Sequence, residues 1–122
     1  MKKVQQFEDF EVWKKASSIA TTILDLTNQP PLKNDFSTKD QIRRSAFSIS
    51  SNIAEGFEYD NNRDFIRFLR YAKGSAGELR SQLYILYSVE MIEDLQYQKM
   101  KEELLVLSRQ LSSLINYLKK HT

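Results

Sequence analysis

Along residues 7–28, apolar side chains recur three or four positions apart, at Phe10, Trp13, Ala16 or Ser17, Ala20, Leu24 and Thr27. That spacing predicts a first amphipathic helix. Val12, Ile19, Ile23 and Leu26 form a second apolar flank, so the helix should have more than one packing neighbour. Glu8, Asp9 and Glu11 crowd the N-terminal end, where the helix dipole favours acids. Asn28-Gln29-Pro30-Pro31 ends the pattern, because proline cannot continue a helix and pushes the residue before it to extended geometry.

A second helix is expected over residues 38–56, capped by Ser37 or Thr38, with Ile42, Ala46, Ile49 and Ile53 as its stripe. Gly56 falls near its C-terminal end, where glycine is favoured. The polar link Tyr59-Asp60-Asn61-Asn62 is short, and Asn61 or Asn62 can cap the third helix. That helix is long, residues 62–89, and keeps its spacing through Phe65, Phe68 or Leu69, Ala72, Ala76, Leu79, Leu83 and Leu86. Gly74 and Gly77 interrupt it, each at about 1 kcal/mol relative to alanine. Close approach of another helix, or a local bend, would account for them. The fourth helix, residues 93–120, carries a heptad-like seam at Tyr97, Met100, Leu104, Leu107, Leu111, Leu114 and Leu118, widened by Leu105 and Ile115. Short links make successive helices antiparallel neighbours. The prediction is one all-α domain, an antiparallel up-down-up-down four-helix bundle.

Composition agrees with this reading and removes several chemistries. Three Gly and two Pro in 122 residues are too few for a turn-rich β fold. The chain has no Cys, so disulfides and thiolate metal sites are excluded. Its one His lies at position 121, which leaves no His-based triad and no multi-His metal site. Glu93-Asp94 and Glu102-Glu103 are adjacent pairs that do not face each other on a helix, and no Glu-x-x-His word of a di-iron bundle occurs. No catalytic residue, cofactor or metal is expected. Lys2 and Lys3 precede no apolar h-region, and no apolar run nears the roughly 20 residues that span a bilayer. The expected location is the cytoplasm, with no membrane contact.

Charge is nearly balanced, with a formal net of +2. A local excess lies on the third helix, where residues 63–80 hold five positive and two negative charges. Arg63, Arg67, Arg70 and Lys73, extended by Arg80, could follow the phosphates of RNA or DNA, with Tyr71 and Tyr84 for stacking. An ordinary solvated face is the competing reading. On the second helix, Gln41, Arg44, Ser48, Asn52 and Glu55 share a polar face, with Arg43 beside it. Together with Ser51, Gly74 and Gly77, these small and polar residues suit inter-subunit or inter-helix contact. Gly74-Ser75-Ala76-Gly77 has the letters of a KH-domain GxxG loop but lies inside a helical pattern, and there is no P-loop word.

Residues 41–56, Gln-Ile-Arg-Arg-Ser-Ala-Phe-Ser-Ile-Ser-Ser-Asn-Ile-Ala-Glu-Gly, resemble a signature of the four helix bundle protein family, first noticed as reading frames inside 23S rRNA intervening sequences of bacteria. Residues 72–83 and 7–13 resemble two further stretches of that family. Glu58-Tyr59 stands where relatives often carry an Arg, and Phe36-Ser37 replaces a Gly-Leu-like pair. The resemblance implies a four-helix bundle that assembles as a homopentamer. It also implies kinship with the accessory protein of diversity-generating retroelements, a basic barrel that binds a reverse transcriptase and nucleic acid. The expected function is a non-enzymatic homo-oligomeric interaction scaffold whose partner, RNA, DNA or a protein, the sequence does not name, and whose ring could bind nucleic acid weakly. A nucleic-acid-binding accessory factor is the alternative.

Overall fold

The computed structural model describes residues 4–121; Lys2 and Lys3 lie outside that range. A 3-10 turn, Phe7–Asp9, precedes four helices: α1 (Glu11–Thr27), α2 (Phe36–Glu58), α3 (Asn62–Ser88) and α4 (Asp94–Lys120). Contacts join α1 to α2, α2 to α3, α3 to α4 and α4 back to α1, with α2–α3 the most extensive pair. α1 and α3 are therefore diagonal, as are α2 and α4. Cross-helix contacts fix the directions. Phe10 meets Phe57 at one end of α1–α2, and Arg43 bonds Thr27 at the other. Ser45 pairs with Glu78 while Ser48 pairs with Ser75. Asn62 reaches Leu118, and Tyr87 stacks on Tyr97. Every neighbouring pair is antiparallel, which is the up-down-up-down bundle the periodicity predicts.

The first helix starts later than expected. Phe10 has an extended backbone, φ −74° and ψ 133°, and separates the 3-10 turn from α1. That break turns the Phe10 ring onto Phe57 and Phe65, each at 5.5 Å. Glu11 alone of the three acids then sits in the first turn of α1. The buried stripe of α1 is Val12, Ala16, Ile19, Ala20, Ile23 and Thr27, so most of the flank read as secondary is the core face. Phe10, Trp13, Leu24 and Leu26 are half-buried at its edges. In α4 the seam runs from Leu111 through Ile115 to Leu118, and Leu114 lies at the margin.

α2 begins at Phe36 because Asp35, not Ser37 or Thr38, is the cap: its Oδ1 accepts from the Thr38 N–H at 3.3 Å. Leu32, fully buried, anchors the preceding loop. Asn61 caps α3, accepting from the Asp64 N–H at 2.8 Å, while its own Nδ2 donates to Asp64 Oδ2 at 2.8 Å. Gly56 is not a C-terminal stop, since α2 continues through Glu58. It is a packing site: a Cβ there would lie 2.5 Å from the Phe68 Cβ. Gly74 and Gly77 are the reverse. α3 runs through both without a break, and a Cβ at either would meet nothing within 4 Å, so no helix of this chain approaches them closely.

Candidate interaction surface on the α2–α3 face

Small hydroxyls hold α2 and α3 together along a polar seam. Ser48 Oγ and Ser75 Oγ share a hydrogen bond of 2.8 Å. Asn52 Nδ2 braces Ser48, donating to its carbonyl at 2.8 Å and reaching its hydroxyl at 3.1 Å. The buried Ser45 hydroxyl has Glu78 Oε1 and the Gln41 carbonyl, each at 3.2 Å, as acceptors. Serine at these positions lets the backbones approach while leaving every hydroxyl a partner. Above the seam lies a shallow groove of about 530 Å³ lined by Gln41, Arg44, Ser45, Ser48 and Glu78. Arg44 pairs with Asp40 at 2.6 Å across one helical turn, and both are exposed, so the pair adds little stability.

The predicted contact residues thus separate by depth. Gln41, Arg44 and Ser48 line one groove, and Asn52 supports its floor. Ser51 and Glu55 are exposed on the same side of α2, farther along. Gly74 is exposed on α3, one residue before Ser75 in the seam. Gly77 is half-buried and rotated by about 60° around the helix. Ser45, Ser75 and Glu78 complete the seam and escape sequence reasoning. All three lie inside the signature-like stretches 41–56 and 72–83, but only the pairing register of the two helices shows that they meet.

The five basic residues of α3 do not form one straight line. Arg63, Arg67 and Arg70 point away from the core and are exposed. Lys73 and Arg80 turn about 60–80° from Arg70, toward the flank on which Asn62 and Tyr84 reach α4, and Arg80 is half-buried. Arg67 is already engaged. Its guanidinium bonds Asp64 at 3.1 Å and lies 4.6 Å from the centroid of the Phe68 ring. Tyr59 stacks on Phe68 at 5.2 Å, and the Tyr71 ring meets it edge-on at 5.5 Å. Tyr59 and Tyr71 are each 50% exposed, so the cluster presents aromatic faces beside Arg67. Tyr71, ahead of Asp64, raises the Arg67 pKa above its ordinary value, and Asn61 followed by Arg67 holds the Asp64 carboxyl below its own. Both groups stay charged near neutral pH.

Arg43, noted only as a neighbour of the polar face, points the other way. Its Nε donates to Thr27 Oγ1 at 2.8 Å and its Nη2 to Asn28 Oδ1 at 2.9 Å, tying α2 to the end of α1. Among the described residues, no three metal-ligating side chains converge, and no helix is long and apolar enough to cross a membrane.

A crystal structure of a protein with unknown function from the S23 ribosomal protein family of Bacteroides thetaiotaomicron VPI-5482 is similar to this chain. Identity is 28% and the TM-score 0.79, over 86% of this chain and 95% of that one. No curated protein matches significantly. The family profile described as 23S rRNA-intervening sequence protein matches residues 8–113, which takes in all of α1, α2 and α3 and most of α4. The chain belongs to the 23S rRNA-intervening sequence protein family.

Proposed function

We propose that the chain is a non-enzymatic, cytoplasmic, homo-oligomeric bundle that serves as an interaction scaffold. The observation that carries this reading is Gly74: an exposed, open glycine in mid-helix, beside a groove of small polar side chains. A glycine there weakens α3 by about 1 kcal/mol and serves no contact within the chain. A backbone closely packed against a second copy gives it a purpose. Five copies is the number implied by the family resemblance, and such a ring would carry roughly +10, multiplying weak surface patches into an avid one. The resemblance also makes a partner protein, such as a reverse transcriptase, a candidate to dock on the ring. Light scattering on the eluting protein tests the assembly. The expected mass is about five times the 14.4 kDa chain, and a species at the chain mass across all concentrations would refute it.

A nucleic-acid-binding accessory role is the second reading. It is favoured by Arg63 and Arg70, which are exposed and form no ion pair among the described residues, on the same helix as the half-exposed Tyr71 ring that Arg67 approaches at 6.0 Å. Cations that track phosphates and rings that stack on bases are the two parts of such a surface.

A further inference from the structure

At the end of the bundle where α2 turns into α3 lies an aromatic cleft separate from the α2–α3 groove. Phe10, Phe57 and Phe65 meet edge to face there, with centroid separations of 5.5, 5.5 and 5.9 Å. Leu114 and Tyr117 of α4 form the opposite wall, and the cleft holds about 350 Å³. That volume falls in the roughly 300–1,000 Å³ range of small-ligand sites. Phe65 is buried, and Phe10, Phe57, Leu114 and Tyr117 are half-buried against the core, so the cleft is walled mainly by apolar side chains.

The polar groups at the mouth are unequally occupied. Asn61 uses both ends of its amide, toward Asp64 and the Tyr59 carbonyl. Asn62 Nδ2 donates to the carbonyls of Leu118 and His121, which leaves its Oδ1 as an acceptor. The Asp60 carboxylate has no hydrogen-bond or ion-pair partner among the described residues. Its backbone adopts φ 60°, in the left-handed region, at the tight α2–α3 turn. The mouth therefore offers an acceptor and an uncompensated negative charge, above a floor of aromatic rings that themselves attract cations.

We propose that this cleft binds a small aromatic ammonium compound, its ring against Phe57 and Phe65 and its cationic head at Asp60. The apolar walls bury the flat body, and the carboxylate selects the charge. A neutral analogue of the same shape keeps only the burial.

Nuclear magnetic resonance titration of the full chain with phenethylammonium tests this, with 2-phenylethanol as the neutral control. Saturable shifts are expected at the amides of residues 57–65, larger for the ammonium at equal concentration. Asp60→Asn preserves the left-handed turn, since asparagine tolerates it. It should weaken the ammonium by about two- to fivefold and leave the alcohol unchanged. Leu114→Trp fills the cleft and should remove both responses. Absence of saturable shifts would overturn the proposal. So would equal binding of the two probes with no response to Asp60→Asn, which shows a greasy cleft without charge selection. The asparagine arm decides the matter alone if the tryptophan variant does not fold.

Discussion

Gly56 shows how much one missing Cβ can determine. It sits inside α2 with the Phe68 Cβ directly opposite, and an added methyl would come within 2.5 Å of that atom and 3.2 Å of Phe65 Cδ1. The first of these atoms is fixed to the α3 backbone, so relief requires the two helices to part. Alanine gains about 1 kcal/mol of helix propensity, whereas overpacking typically costs about 1–3 kcal/mol. Gly56→Ala is therefore expected to lose about 1 kcal/mol net, read as a lower urea midpoint at unchanged slope. The consequence extends outward, because Phe68 supports both Tyr59 and Arg67. A shifted Phe68 would disturb the exposed ring cluster, visible in near-ultraviolet circular dichroism. A rise in stability would show that the α2–α3 contact is looser than the geometry implies.

At the scale of the element, α3 offers the opposite experiment. Gly74 is exposed and has open space where a Cβ would be, so Gly74→Leu starts from an unobstructed position pointing to solvent. The isolated bundle should gain about 1 kcal/mol from helix propensity alone. If a second copy packs against this stretch, the same leucine should lower the assembly mass while the dilute chain becomes harder to unfold. A leucine that stabilises the chain and leaves its mass untouched would place the subunit contact elsewhere. The helices themselves were largely legible in the sequence, because periods of three and four residues survive in α2, α3 and α4 almost position by position. α1 was less so: with two apolar flanks, the pattern cannot say which one faces the core until α2 and α4 are in place. The caps were half legible. Asn61 lies in a polar link and does what such residues do, but Asp35 is hidden behind Ser37 and Thr38, which have equal capping chemistry. The role of Gly56 and the seam through Ser45, Ser75 and Glu78 were not legible, since both depend on the register between two helices. Ser45 and Glu78, for instance, are 33 positions apart along the chain.

For the molecule as a whole, the open question is whether a net charge of only +2 can hold nucleic acid. A single chain presents few free cations on the outward face of α3. Arg67 is bonded to Asp64 and stacked on Phe68, and Arg80 is half-buried, which leaves Arg63, Arg70 and the flanking Lys73. Two or three phosphate contacts give weak affinity, but repetition around an assembly would raise it without any new contact. Binding to a mixed-sequence RNA, followed by anisotropy across a salt series, should therefore fall steeply with salt for the assembled protein. Arg63→Glu with Arg70→Glu is the better reversal than one that includes Arg67, because it leaves the Asp64 pair and the aromatic cluster standing. The double variant should keep its mass, lose most of its affinity and flatten the salt slope. Unchanged affinity would take the arginines out of the nucleic-acid reading. A fall in mass would mean that they lie between copies of the chain, and that the outward face of α3 serves assembly instead of phosphate.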